Sequence, residues 1–258
     1  MSNYKQIATN SRKKVLELIF RAQTSHIGSN FSCADIMAVL FEKIDLDKDK
    51  FVLSAGWKAA ILYYHLWRKG RITEEQLDSY CIGDSKFIGL AEPVIPEIQI
   101  AGGSMGLGLP GAVGLALAKK LKGETGTVYC LMSDGELQIG TTWEAALIAV
   151  NNQLDNLVVI VDVNGFQAMG KTRDILGSEH GEIFFPSVGF VKKVVDGHDY
   201  VGLASALEDD GSRALDPLVI FAQTTKGKGV SFMENNNLYH YKQLSQEEYD
   251  NALKELNG

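Results

Sequence analysis

Two tight turns in the sequence carry side chains that could bind a divalent cation. Asp134-Gly135 follows one apolar segment, and Asn164-Gly165 follows the next, thirty residues later. A carboxylate and an amide oxygen are hard ligands that suit Mg²⁺ or Ca²⁺ better than zinc, and Mg²⁺ with few protein ligands usually takes phosphate oxygens as well. Asp-Gly and Asn-Gly are each common in turns that bind no ligand. Together they predict a site for a metal ion and a phosphate, which the two glycines leave open to close approach.

The segments around these turns alternate between strands and helices. Strands are predicted at 51–54, 127–132, 157–163, 191–196 and 217–224. Unbroken Val, Ile and Leu strands that alternate with helices indicate a parallel sheet with helices on both faces. The thirty-residue spacing is one strand-helix-strand repeat, so both turns would lie at the carboxyl ends of neighbouring strands, with Asp162 beside them. Asp196-Gly197 follows a separate strand and is interpreted as an ordinary turn.

Helix-start signals predict further elements. Helix caps are predicted at Ser32 to Asp35 and at Thr73 to Gln76, and a C-terminal helix is expected to begin near Ser245. The segment 82–104 contains two prolines and several glycines and is expected to be a loop. Because we find no repeat and no low-complexity linker, residues 1–258 are predicted to form a single α/β domain.

Charge and composition exclude several classes of protein. The 258 residues include 25 Lys and Arg against 32 Asp and Glu, a formal net charge of −7, which argues against binding to a nucleic-acid backbone. No apolar segment approaches the ~20 residues needed to cross a bilayer, and the polar N-terminus does not resemble a signal peptide. Three scattered cysteines are too few for a disulfide framework. The sequence therefore predicts a cytoplasmic protein with neither nucleic acid nor membrane as partner.

Five segments resemble, in order, the thiamine-diphosphate-binding region of the transketolase family. They are SHIGSNFSCADI, DKFVLSAGWKAA, AGGSMGLGLPGAVGLALA, SDGELQIGTTWEAALIAVNNQLDNLVVIVDVNGFQ and TTKGKGVSFMENNNLYH. The fourth resembles the cofactor motif of the family, Gly-Asp-Gly followed about thirty residues later by Asn. The resemblance covers nearly the whole chain but only the N-terminal, diphosphate-binding domain of the family. It implies the α/β thiamine-diphosphate-binding fold.

The resemblance also implies which residues bind the cofactor. The ligands of Mg²⁺, for which Ca²⁺ or Mn²⁺ could substitute, would be Asp134, the side-chain oxygen of Asn164 and the backbone carbonyl of Phe166. The residues that would contact thiamine diphosphate itself are Gly103, Ser104, Met105, Gly135, Glu136, Asp162 and Asn164. Two histidines would serve catalysis: His26 near the C3 hydroxyl of the substrate, and His240 against both diphosphate and substrate.

A partner subunit is the next implication of the resemblance. Thiamine chemistry needs a carboxylic acid against the aminopyrimidine ring, and in the family this glutamate lies in the pyrimidine-binding domain. The present chain resembles only the preceding domain. We therefore expect one half of a split transketolase, inactive alone, whose partner resembles the pyrimidine-binding and C-terminal domains. The family arrangement implies an α2β2 heterotetramer.

Four residues depart from the family pattern. Trp57 and Leu90 replace histidines that contact the C1 hydroxyl of a ketose donor, and an apolar wall favours a donor without that hydroxyl, such as pyruvate. Ile139 replaces a glutamate that couples two active sites, and an isoleucine cannot relay a proton. Ser133 replaces the first glycine of the motif.

The leading prediction is a transferase that moves a two-carbon unit from a ketose or 2-oxo acid to an aldehyde or sugar acceptor. A pyruvate-using, thiamine-dependent synthase of specialised sugar metabolism stays open. So does a non-catalytic or regulatory paralogue, which the lost histidines favour and the retained metal ligands oppose. A dinucleotide-binding protein is disfavoured, since no Gly-x-Gly-x-x-Gly turn follows the first strand.

Overall fold

A five-stranded sheet forms the centre of the computed structural model, which describes residues 3–177, 179–208 and 214–258. The strands are β1 (Lys50–Leu53), β2 (Val128–Ser133), β3 (Leu157–Val163), β6 (Val191–Asp196) and β7 (Leu218–Gln223). Their order is β1-β2-β3-β7-β6, and every neighbouring pair is parallel. The predicted parallel sheet is confirmed. β2 and β3 are adjacent, so their carboxyl ends meet at the same edge of the sheet.

Helices cover both faces of this sheet, as predicted. The helices are α1 (Tyr4–Ala22), α2 (Ile27–Ser32), α3 (Ala34–Lys43), α4 (Ala59–Arg68), α5 (Glu74–Asp78), α6 (Gly108–Lys122), α7 (Gly140–Asn151), α8 (Thr172–Ile175), α9 (Glu179–Val188), α10 (Tyr200–Ala206) and α11 (Gln246–Asn257). Within the described residues, no helix is both long and apolar enough to span a bilayer.

Alternating strand residues divide the core into two clusters, one on each face of the sheet. In β3, Val158 and Ile160 pack with α1, α3 and α4, whereas Val159 and Val161 pack with α6, α7 and α9. This alternation is the period-two geometry of a strand, here with both faces apolar. Burial on both faces fixes the strands, and therefore the residues at their carboxyl ends.

One predicted helix cap is wrong. α3 begins at Ala34, and its N-cap residue Cys33 makes no side-chain capping hydrogen bond. The two polar residues of the predicted cap have partners elsewhere: Ser32 donates to Asp162 at 2.5 Å, and Asp35 accepts two bonds from Arg12, at 3.1 and 2.6 Å. The side chains that were predicted to cap the helix therefore form tertiary hydrogen bonds instead.

The other predicted cap, at Thr73, is confirmed as a capping box, and the C-terminal helix begins after Ser245 with a capping box of its own. Thr73 accepts from the backbone of Gln76, and Ser245 accepts from the backbone of Glu248. Several short elements were not predicted: α2, α8, α9 and the hairpin of β4 (Phe166–Gln167) and β5 (Gly170–Lys171). The hairpin directly follows the Asn164-Gly165 turn. Residues on either side of it, Gly165 and Thr172, both donate to Asp134.

Candidate active site

The two predicted turns come together at the carboxyl edge of β2 and β3. Ser133 pairs in register with Asp162, which places Asp134 beside the end of β3. The backbone N–H of Gly165 donates to Oδ2 of Asp134 at 2.7 Å, and the hydroxyl of Thr172 donates to the same oxygen at 3.2 Å. Asp134 and Asn164 therefore flank one point of the sheet edge.

The second oxygen of Asp134 lacks a partner. Oδ1 is buried and accepts no hydrogen bond from any described residue. Burial, with the nearby charge of Asp162, raises the pKa of Asp134 to about 6. A buried carboxylate oxygen without a partner is costly, so this environment suits a carboxylate that binds a cation.

Amide and carbonyl oxygens would have to complete such a metal site. In the described part of the chain, no three or more His, Cys, Asp or Glu side chains are grouped closely enough to hold a metal ion. The amide oxygen of Asn164 accepts from the backbone of Phe166 at 3.0 Å, which orients that oxygen and leaves it a second lone pair. The donor set of one carboxylate, one amide and one backbone carbonyl fits a hard cation such as Mg²⁺.

A buried ion pair lies beneath these turns. Lys58 and Asp162 are both 0 % exposed, and the ammonium group donates to Oδ2 of Asp162. Asp162 also accepts from the hydroxyls of Ser32 and Thr224. Burial alone would lower the pKa of Lys58, but Asp162, Cys33 and Asp134 together outweigh it, and the pKa is raised. The pair places a compensated charge beneath the two turns.

A cavity of about 320 Å³ opens beside the turns. The residues predicted for the site that line it are His26, Trp57, Leu90, Gly103, Met105, Gly135, Asn164, Phe166 and His240. Asp134 and Asp162 lie behind its wall, both fully buried. The structure thus brings predicted site residues from distant parts of the sequence together around one cavity.

Ser104 and Glu136 do not line the cavity. Ser104 is exposed. Glu136 is fully buried, and its carboxylate accepts from Ser54 and from the backbone of Gly106 and Ser133. Burial raises the pKa of Glu136. Its bonds tie the Asp134 turn to the segments before α4 and α6.

Backbone contacts position the wall that carries Trp57 and Leu90. Gly56 donates to the carbonyl of Gly102 at 3.0 Å, Gly102 donates to Ala91 at 2.9 Å, and Ala91 donates to Gly56 at 3.0 Å. A Cβ on Gly56 would lie 2.1 Å from the Gly102 carbonyl oxygen, so only glycine permits this approach. The loop 82–104 is therefore attached to the turn after β1, and both apolar side chains face the same cavity.

Two histidines also line the cavity. The backbone N–H of His26 donates to the carbonyl of His240 at 2.9 Å, and their ring centroids lie 5.1 Å apart. His26 has a left-handed backbone, with φ of 71°, which is uncommon for a non-glycine residue. Burial, reinforced by the charge of Lys226, lowers the pKa of His26 to about 4 and that of His240 to about 3. Both rings are therefore neutral near pH 7.

The sequence analysis did not single out Lys58 or Lys226. Both are buried, and each contacts a predicted site residue: Lys58 contacts Asp162, and Lys226 contacts His240. The signal for Lys58 was a lysine inside an otherwise apolar run, FVLSAGWKAAILYY. A lysine in such a run is rarely buried without a partner.

Comparison with known proteins identifies the family. The family profile described as "Transketolase, thiamine diphosphate binding domain" matches residues 3–258. The chain belongs to the transketolase family. It is a thiamine-diphosphate-binding domain of an enzyme of the transferase class, as its resemblance implied.

Individual transketolases share both sequence and fold with the chain. The chain is 31% identical over 257 residues to one of the subunits of apulose-4-phosphate transketolase from Phocaeicola vulgatus, covering 95% of this chain and 91% of that protein. It is 32% identical to 6-deoxy-6-sulfo-D-fructose transketolase subunit SqwG from a Clostridium species, covering 93% of that protein. The transketolase structure from Campylobacter jejuni superimposes with a TM-score of 0.91 at 29% identity, but this chain covers only 43% of it. Likewise, the chain covers 42% of human transketolase.

Proposed function

We propose that this chain is the diphosphate-binding subunit of a split transketolase-type enzyme. It binds thiamine diphosphate with Mg²⁺, for which Ca²⁺ or Mn²⁺ substitutes, and it transfers a two-carbon unit from a ketose or 2-oxo acid to an aldehyde or sugar. Residues 1–258 act as one domain in this proposal. The observation that carries it is the unpartnered, buried oxygen of Asp134 beside Asn164, behind the wall of a cavity lined by other predicted site residues.

The chain's own residues would bind and orient the cofactor. Asp134, the amide oxygen of Asn164 and the carbonyl of Phe166 would hold the cation, which in turn holds the diphosphate. Gly135 lets the backbone approach the phosphates closely. Bound thiamine diphosphate supplies the reactive carbon and stabilises the negative charge that develops there. His26 and His240 would contact the substrate in the cavity that Trp57 and Leu90 also line.

A partner subunit completes the enzyme in this proposal. Three relatives of similar length are named as single subunits of transketolases, which supports a divided enzyme. We propose that the partner contributes the pyrimidine-binding and C-terminal domains, including the glutamate that activates the cofactor, in an α2β2 complex. The cytoplasmic location stays a prediction.

The test is metal-dependent cofactor binding. Asp134→Asn removes the carboxylate charge with little change in size, and Asp196→Asn makes the same change at the end of β6, outside the cavity. Titration calorimetry of the chain with its partner measures the affinity for thiamine diphosphate in Mg²⁺ and in chelator. We expect wild type and Asp196→Asn to bind only in Mg²⁺, and Asp134→Asn to lose at least about tenfold, or ~1.4 kcal/mol.

Two results would contradict the proposal. Equal affinity for thiamine diphosphate in Mg²⁺ and in chelator would exclude a metal-held diphosphate. Binding by Asp134→Asn as tight as that of Asp196→Asn would exclude the proposed ligand. Binding without turnover on any donor would instead favour the non-catalytic paralogue.

The apolar wall favours a second candidate, a donor without a C1 hydroxyl. Trp57 and Leu90 both line the cavity, and neither offers the hydrogen-bonding partner that such a hydroxyl requires. Pyruvate, which delivers a methyl-bearing two-carbon unit, fits this wall better than a ketose phosphate. The enzyme would then be a thiamine-dependent synthase of specialised sugar metabolism.

Donor competition separates these two functions. We expect the reconstituted complex to prefer pyruvate to xylulose 5-phosphate, measured as the ratio of kcat/KM. The double substitution Trp57→His with Leu90→His should move this ratio towards the ketose by at least about tenfold, because it returns two hydrogen-bonding groups to the wall. A wild-type preference for xylulose 5-phosphate would contradict the pyruvate function and leave the ketose function in place.

A further inference from the structure

Lys226 lies behind the cavity wall and contacts His240. Its side chain is 0 % exposed. The ammonium nitrogen lies 2.8 Å from Oδ1 of Asn237 and 2.9 Å from Nδ1 of His240. The amide nitrogen of Asn237 donates to the carbonyl of Ala168 at 3.2 Å, so the amide oxygen faces Lys226. The lysine is thus anchored on one side and directed at the imidazole on the other.

The contact determines where the proton of His240 lies. Burial lowers the pKa of Lys226 to about 8, so the side chain is mainly an ammonium group near pH 7. An ammonium group has three donors and no acceptor, so Nδ1 of His240 accepts the bond from Lys226. A neutral imidazole carries one proton, which must then be on Nε2. The lowered pKa of His240, caused by burial and by the charge of Lys226, keeps the ring neutral near pH 7.

We propose that Lys226 is a positioning residue that fixes His240 in the neutral tautomer with its proton on Nε2. His240 lines the cavity, and its remaining nitrogen therefore presents a hydrogen-bond donor, and not a base, to a ligand there. The group that it recognises is an oxygen acceptor, such as a phosphate or carbonyl oxygen. The identity of that ligand rests on the proposed function, whereas the tautomer does not.

Nitrogen NMR of the histidine rings tests the proposal on the full chain without cofactor. The chain has five histidines, so labelling with ¹⁵N-histidine gives few signals, and His240→Asn assigns the one of interest. Lys226→Met removes the donor and keeps an unbranched side chain that is shorter only by the terminal nitrogen. Lys226→Gln removes the charge but keeps an N–H donor for Nδ1. We expect His240 to be protonated on Nε2 alone in wild type and in Lys226→Gln, and in both tautomers in Lys226→Met.

The wild-type spectrum alone can overturn the proposal, even if Lys226→Met does not fold. A proton on Nδ1 of His240 in wild type would do so, as would an unchanged tautomer in a folded Lys226→Met chain. In the complex with the partner, we expect Lys226→Met to weaken thiamine diphosphate binding by about tenfold and Lys226→Gln to restore most of it. Failure of wild type to bind thiamine diphosphate would contradict the proposed function and leave the tautomer result standing.

Discussion

At the scale of single residues, a few buried charges decide how the site is built. Asp134 has an unpartnered oxygen, and the charge of Asp162 is balanced by Lys58. Both carboxylate oxygens of Glu136 accept hydrogen bonds from the protein. Three carboxylates within one motif region therefore have three different environments. Only the carboxylate of Asp134 is left with an oxygen for a ligand, because protein donors satisfy the other two.

The Lys58–Asp162 pair gives the first prediction at this scale. Lys58→Met leaves a buried carboxylate uncompensated, and we expect the free energy of unfolding to fall by about 3–5 kcal/mol. Asp162→Asn should also destabilise, whereas the double variant should lose clearly less than the sum, since neither charge is then left alone. Urea unfolding measures all three variants.

A matched surface pair provides the control for this cycle. Lys43 lies 2.8 Å from Glu208, which is 66% exposed. Lys43→Met should cost at most about 1 kcal/mol because water screens the charges. Strictly additive effects of Lys58→Met and Asp162→Asn would show that the buried pair does not couple energetically.

At the scale of elements, α4 contains a histidine that makes stability depend on pH. His65 is fully buried against the ring of Phe41, and neither of its ring nitrogens has a partner among the described residues. Burial lowers the pKa of His65 to about 3. Between about pH 6.5 and 3 the unfolded chain therefore binds a proton that the folded chain excludes, and stability is lost as the pH falls.

His65→Leu should abolish this loss. Each pH unit in the window is worth up to about 1.4 kcal/mol, so the variant should gain about 2 kcal/mol on wild type between pH 6.5 and 5. Denaturant unfolding at several pH values measures the difference. The exposed His180 offers a control, since His180→Leu should follow the wild-type curve. Parallel curves for His65→Leu and wild type would contradict the prediction.

Regular elements were predictable from the sequence, whereas short ones were not. β3 and β6 have the predicted bounds. β3 is an almost continuous apolar run, and the Asp196-Gly197 turn marks the end of β6. α2 was missed, since it is short, contains small and polar residues, and follows an N-cap residue, His26, whose backbone is left-handed. The cap of α3 was mispredicted because Asp35 accepts hydrogen bonds from Arg12, which is distant in sequence. Local spacing carries no information on such partners, and the same holds for Lys58 and Lys226.

At the scale of the whole molecule, the cavity has an open rim of apolar side chains. Met105, Met169 and Tyr241 line the cavity and are 43%, 87% and 62% exposed. Exposed apolar surface around a ligand site is typical of a surface that another protein covers. A cofactor bound to the chain alone would keep one side in water.

Cofactor binding should therefore depend on the partner subunit. We expect the affinity of the chain for thiamine diphosphate in Mg²⁺ to rise at least about tenfold when the partner is added, because the closed site buries more of the ligand. Calorimetric titrations of the chain with and without the partner provide the measurement. An equal affinity in both would mean that this chain alone forms the complete cofactor site.

The contact between Gly56 and Gly102 has a practical consequence. It joins two loops through main-chain atoms alone, so the backbone under Trp57 and Leu90 is set by bonds that no side-chain exchange removes. We therefore expect residues on this wall to be replaceable one by one with little movement of this backbone. The chain is therefore a suitable template for engineering carbon–carbon bond formation, since each change in selectivity can be traced to the group that was exchanged.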